Sequence, residues 1–313
     1  MSEMNRTLAF VFPGQGSQSL GMIQDLLDHE IVVQTLSEAD EALGFSLSDI
    51  IKSGDVETLG KTEITQPAIL TVSIALWRVW CDRNGAQPAF LAGHSLGEYS
   101  ALVAAGVLAF KDAVKLVHDR GHFMQEAVPA GTGAMAAILG LDDEAVIAVC
   151  TDSADAGIVA AVNFNSQGQV VIAGEKAAVE AACALAKERG AKRALLLPVS
   201  VPSHCILMKP AAERLAVALD DMLLSTPNQI VIHNVDVKAH TEVSEIKDAL
   251  ISQLYEPVRW TETIEYLARE GVTTVVECGP GKVLTGLIRR IDKSLVTYNI
   301  LDGATIETVI NEI

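Results

Sequence analysis

Aromatic residues make up only 4% of this 313-residue chain, and basic residues are in the minority. Against 40 Asp and Glu stand 23 Lys and Arg, and 23 minus 40 leaves a net charge of −17. A nucleic-acid binder needs a basic face, so that class is excluded. With few aromatics and 50% apolar residues, Ala, Val, Leu and Ile must fill the interior, as in a mostly parallel sheet covered on both faces. Cysteines are few and odd in number: Cys81, Cys150, Cys183, Cys205 and Cys278 form no CxxC. Neither a disulfide frame nor a zinc site is expected, and reduced thiols in the cytoplasm are. No metal-ligand spacing, internal repeat or low-complexity tract is present. No stretch approaches the ~20 apolar residues of a membrane span. The start, Met1 to Phe12, lacks a basic region followed by a signal-length apolar core.

What is there is an alternation of short apolar runs and longer amphipathic segments. Leu8–Phe12, Ala89–Ala92, Ile230–Ile232, Thr274–Val276 and Val296–Tyr298 read as strands, and Thr71–Trp80 as a helix. The expected class is α/β, a three-layer core around a mostly parallel sheet. Between Pro129 and Pro198 the order changes to strand (134–139), helix (142–150), strand (158–163), strand (169–173), helix (177–189), strand (193–197). That βαββαβ order is the ferredoxin-like unit. The expectation is an inserted subdomain at 130–198 within a core formed by 1–129 and 199–313, with a cleft between them.

Ser95 sits in Gly93-His94-Ser95-Leu96-Gly97, between a buried strand and the start of a helix. A serine on so sharp a turn needs glycines on both sides, since only they tolerate the backbone angles and the close packing, and the strain lifts its hydroxyl above the sheet. The helix that follows aims free N–H groups at any negative charge forming there. This is the arrangement of an acyl-transfer nucleophile, and a tight turn with a serine N-cap is the alternative until a base is found.

Of seven histidines, His204 is the best placed, in the stiff segment Pro198-Val199-Ser200-Val201-Pro202-Ser203-His204 where the insertion returns to the core. A loop histidine without a role is the alternative. His94 is expected to face the other side of the turn, and His29 and His240 the surface. No Asp or Glu between Ser95 and His204 suits the part of an orienting acid; those present sit in helices such as Asp142-Asp143-Glu144. A backbone or amide oxygen in that part is the variant this suggests. Arg120 projects from the apolar stripe of the helix 111–126, among Leu116, Val117 and Met124. A guanidinium there is costly unless an anion meets it, and its fork suits a carboxylate. A structural ion pair is the alternative. Phe12-Pro13-Gly14-Gln15-Gly16-Ser17-Gln18 follows the first strand but is no phosphate loop. Ser19 replaces the third glycine of the dinucleotide fingerprint, and Met22 stands where a P-loop has lysine. Gly279-Pro280-Gly281 reads as a structural turn. Cys205, next to His204, points away from it in an extended chain and is no nucleophile.

Taken together, FPGQGSQ (12–18), ITQPAIL (64–70), GHSLGEYSALV (93–103), RGHFMQEAVP (120–129), NFNSQGQVVIAG (163–174), VSVPSHC (199–205) and GPGKVLTGL (279–287) resemble the malonyl-CoA:acyl carrier protein transacylases, in the family's order and over nearly the whole chain. The resemblance implies a hydrolase-like α/β core with a ferredoxin-like insertion. It implies Ser95 as acylated nucleophile, His204 as base, Gln15 and Leu96 as backbone donors to the oxyanion, and Arg120 as partner of the malonyl carboxylate. By the same resemblance the backbone carbonyl of Gln253 orients the histidine, and His94 and Asn163 support the pocket. Malonyl-CoA is the implied substrate, with no permanently bound cofactor. The implied partner is holo acyl carrier protein, whose phosphopantetheine thiol takes the acyl group, with the enzyme a monomer. Ser203 departs from the phenylalanine common next to the histidine in malonyl-specific polyketide acyltransferases, so that motif does not by itself exclude a methyl-branched substrate. An acidic carrier meets an acidic enzyme, so a local basic cluster is expected to receive it: Lys187, Arg189, Lys192 and Arg193, or Arg289, Arg290 and Lys293. An esterase or thioesterase using the same serine is the competing enzyme class, and a non-catalytic carrier-binding module the competing non-enzyme.

Overall fold

The structure, a computed structural model, describes residues 4–129, 131–199 and 201–313. Ala130, at the expected boundary of the insertion, and Ser200, in the segment before His204, lie outside the described residues. The chain opens with β1 (Asn5–Phe12), α1 (Glu30–Leu43), α2 (Leu47–Ser53), α3 (Val56–Leu59), α4 (Thr62–Asp82), β2 (Pro88–Gly93), α5 (Gly97–Ala104) and α6 (Phe110–Ala127). There follow β3 (Gly133–Leu139), α7 (Asp143–Asp152), β4 (Val159–Ser166), β5 (Gln169–Glu175), α8 (Lys176–Glu188) and β6 (Arg193–Leu196). The last part holds α9 (Lys209–Asp220), β7 (Ile230–Ile232), α10 (Val243–Ser252), α11 (Trp260–Arg269), β8 (Thr274–Cys278), α12 (Val283–Ile291), β9 (Val296–Ile300) and α13 (Gly303–Glu312).

Two sheets result, as the α/β reading requires. The first is parallel throughout, in the order β7-β2-β1-β8-β9. The second is antiparallel, in the order β4-β5-β3-β6, the ferredoxin-like arrangement read from the middle of the chain. Apolar side chains cover both faces of the parallel sheet: one layer gathers α1, α4, α6 and α9, the other α11 and α12. A separate core, with Val146, Val149, Ile172, Val179 and Ala182 among it, lies under the second sheet. The two units are stitched together, because Phe164 N–H donates to Val258 O (3.0 Å) and Val258 N–H to Val162 O (2.8 Å).

Helix α4 begins nine residues before the expected Thr71, with Pro67 inside it. Proline removes the N–H that would bond the carbonyl four residues back, which ordinarily ends or kinks a helix. That freed carbonyl, Glu63 O, is met instead by His118 Nδ1 of α6 at 2.9 Å. At the same crossing Gly121 lets the helices touch, since a Cβ there would lie 2.6 Å from Glu63 Cα. By length and composition α4 could cross a membrane, which the reading of the sequence did not anticipate. In the fold, 89% of its apolar window is buried, as befits a core helix.

Strands β1 and β2 are neighbours, with Phe12 paired to Gly93. Their C-terminal ends therefore deliver the loop of Gln15 and the turn of Ser95 to one place. In parallel α/β sheets that edge is where ligands bind.

Candidate active site

Ser95 has φ 51°, in the left-handed region that L residues avoid. The flanking glycines serve close approach; neither has a positive φ. A Cβ on Gly93 would lie 1.9 Å from Gly97 C, and one on Gly97 would lie 2.0 Å from Phe12 O. The strain thus falls on the serine itself, which corrects the expectation that the glycines absorb the unusual angles. Asn234 holds the turn: its Oδ1 accepts from Ser95 N–H (2.7 Å) and its Nδ2 donates to Gly93 O (2.7 Å).

His204, 109 residues further on, also has a positive φ, 63°. Its backbone N–H donates to Leu254 O (2.9 Å), and its Nδ1 meets the Gln253 carbonyl oxygen at 2.6 Å. That contact assigns the proton to Nδ1 and leaves Nε2 as an acceptor, 2.8 Å from Ser95 Oγ. Burial, then the charge of Arg120, pushes the His204 imidazole down to about 3, so the ring is a neutral base.

Arg120 is 1% exposed. Its Nη1 donates to Gln66 Oε1 (2.7 Å) and its Nη2 to Gln253 Oε1 (2.9 Å), with Ser95 Oγ 3.4 Å from Nη2. Its guanidinium carbon lies 5.3 Å from the Tyr99 ring centre, and its Nε has no partner among the described residues. Both strong acceptors are neutral amides, and no carboxylate among the described residues stands within ion-pair distance. A buried cation so placed is unbalanced until an anion arrives.

These groups open onto a cavity of about 300 Å³ between the two sheets. The core contributes Gly14, Gln15, Ser95, Arg120 and Met124, the antiparallel unit Met135, Asn163, Asn165 and Val171, and α12 Val283, Leu284 and Leu287. The N–H groups of Gln15 and Leu96 find no backbone acceptor among the described residues, and both residues line the cavity. His94 lines it too, contrary to the expectation that it faces away; its Nε2 meets Asn165 Oδ1 at 2.7 Å. His29 and His240 are half-buried instead of superficial, and His240 meets Asp236 and Glu245. The turn at Gly279–Gly281 is structural as read: it packs on Pro13, Ser73 and Ser17, bracing the loop of Gln15.

Sequence reasoning missed Gln66, Glu98, His233 and Asn234. Glu98 and His233 carried the same signal that exposed Arg120, a charged or polar residue in an apolar run. A carboxylate three residues after Ser95 passed for part of an ordinary helix start.

The chain matches the acyl transferase domain family over residues 9–309. It belongs to the acyl transferase family. It is 56% identical to the malonyl CoA-acyl carrier protein transacylase of Haemophilus influenzae over 97% of this chain and 98% of that one. An acyl carrier protein S-malonyltransferase from Vibrio cholerae superposes with a TM-score of 0.95 at 57% identity, covering 97% of this chain and 99% of that one. A malonyl-transacylase solved in complex with a type II PKS acyl-carrier protein superposes with a TM-score of 0.96 at 53% identity, covering 98% and 99%. Membership makes the chain an acyltransferase with the α/β architecture described above.

Proposed function

We propose that this enzyme moves a malonyl group from malonyl-CoA to the phosphopantetheine thiol of holo acyl carrier protein, through an ester on Ser95. The single observation that carries the choice of acyl group is Arg120, a buried cation beside the serine whose partners are all neutral, two amides foremost. A carboxylate one carbon beyond the reacting carbonyl would supply its missing anion, by a two-bonded fork.

In the first half-reaction Ser95 Oγ attacks the thioester carbonyl carbon and its proton passes to His204 Nε2. The oxyanion is received by the N–H groups of Gln15 and Leu96, donors whose individual loss costs about 3–4 kcal/mol where such groups have been removed. The C–S bond then breaks, and the departing sulfur takes the proton from His204. In the second half the carrier's thiol gives its proton to His204 and attacks the ester carbonyl, and Ser95 Oγ leaves with that proton. The Gln253 carbonyl stands where a hydrolase has its acid, holding Nδ1–H in place without adding charge. His94, through Asn165, and Asn163 shape the polar wall of the cavity.

The same reading takes residues 130–198 as the inserted subdomain and 1–129 with 199–313 as the catalytic core. It also takes the enzyme as a monomer. Five free cysteines suit the cytoplasm. Intact-protein mass spectrometry after brief mixing with malonyl-CoA tests the proposal. The native chain should gain one malonyl adduct, Ser95→Ala none, and holo carrier should remove it. An adduct that decays to free malonate and never reaches the carrier would make the enzyme a hydrolase instead.

A further inference from the structure

Glu98 takes no part in the steps above and does not line the cavity, yet it is a carboxylate with 0% exposure at the heart of the site. It stands in the first turn of α5. Its Oε1 faces His233 Nδ1 at 2.7 Å; its Oε2 accepts from Asn234 N–H (3.0 Å) and from Gln253 Nε2 (2.8 Å). A buried carboxylate is costly unless such partners surround it, so its retention asks for a reason.

We infer that Glu98 is the positioning residue of the carboxylate site: it fixes which way round the Gln253 amide lies, and so holds Arg120 ready for the substrate's acid group. The inference rests on the malonyl-transfer reading. A glutamine amide has two ends of nearly equal shape, and its partners decide the orientation. Glu98 Oε2 and Ser95 O (3.0 Å) can only accept, so the NH₂ end must face them. Oε1 is thereby turned to Arg120 Nη2, a group that can only donate. The Gln253 backbone carbonyl meanwhile orients His204. One carboxylate thus steadies the residue that serves both the cation and the base. Through Asn234 it also braces the strained Ser95 backbone. Distance is part of the device. A carboxylate paired directly with Arg120 would quench the charge that the substrate needs, whereas one placed beyond an amide orients the guanidinium and leaves it free.

Glu98→Met tests this, because it keeps a side chain of similar length and removes both carboxylate oxygens. With only Ser95 O left to accept from it, the Gln253 amide can reverse and present NH₂ to Arg120. The readout is kcat/KM for Ser95 acylation by malonyl-CoA divided by that for acetyl-CoA, on full-length folded protein normalised to active sites. We expect the ratio to fall about ten-fold, the scale of one charge-assisted hydrogen bond. In an Arg120→Ala background Glu98→Met should not move it further. A role confined to stability would lower both rates together, so a folded variant with an unchanged ratio overturns the inference. Should Glu98→Met fail to fold, Gln253→Met keeps the backbone carbonyl and removes the amide, and an unchanged ratio there overturns it equally. A native chain with no malonyl preference would sink the transacylase reading itself.

Discussion

Among the described residues only four outside glycine have a positive φ, and two of them, Ser95 and His204, meet across 2.8 Å. Strain of this kind costs about 1–3 kcal/mol per residue and persists only where the surroundings over-determine it. Here the surroundings are Asn234 on Ser95 N–H and Leu254 O on His204 N–H. The chemistry of the pair follows from burial. With its imidazole at about 3 in place of the ordinary 6.5, His204 stays neutral in mildly acidic buffer. Between those values the unfolded chain binds a proton that the folded chain refuses, so stability falls as pH drops from 6.5 towards 3. For the reaction, kcat/KM for acylation reports the free enzyme, and its acid limb should lie well below pH 6.5. Once a malonyl carboxylate compensates Arg120, one cause of the depression is removed, so the limb in kcat should lie at higher pH than that in kcat/KM. Pre-steady-state acylation rates across pH 4–8 decide it; coincident limbs near the ordinary histidine value would contradict this account of the base.

At the scale of elements, the site depends on how closely three backbone segments approach. Gly97 touches Phe12 O and Gly93 touches Gly97, which presses the turn of Ser95 against the end of β1. Gly97→Ala should destabilise the protein by about 1–3 kcal/mol, the range for overpacking, and slow acylation as the turn shifts. Thermal melts and burst amplitudes check this, and a variant with native stability and native burst would contradict it. The turn was legible in the sequence because glycine at both ends of an apolar strand–helix junction has few other uses. So was the βαββαβ insertion, whose strands and helices carry clean periods of two and 3.6. The start of α4 was not, because the carbonyl that Pro67 frees, Glu63 O, finds its partner in His118, fifty-five residues beyond Glu63. Glu98 stood out only as a charge in an apolar run; the contacts that it and Asn234 make are hydrogen bonds spanning 135 to 155 residues, which no local pattern encodes.

At the scale of the molecule, a net charge of −17 repels an acidic carrier, so docking must rely on local positive charge. Of the two clusters, the one on α12 is nearer the chemistry. Val283, Leu284 and Leu287 line the cavity, and Arg290 Nη1 reaches across to Oε1 of Gln169, another lining residue (2.7 Å). In the other cluster Arg189 is already paired with Asp152. Arg290→Glu should therefore raise the KM for carrier several-fold, whereas Lys192→Glu with Arg193→Glu should change it less; steady-state titration with holo carrier ranks the two, and the reverse order would move docking to the insertion. Selection of the acyl group rests, in the proposed reaction, on the buried guanidinium of Arg120. Its most direct test is competition: equal malonyl-CoA and acetyl-CoA mixed with native enzyme and with Arg120→Ala, and the Ser95 adducts weighed. The native chain should carry malonyl. The variant should lose malonyl uptake by about 100-fold, the scale of removing one partner of a buried charge pair, while keeping acetyl. Equal loss of both acyl groups, or a variant that still prefers malonyl, would contradict the central claim.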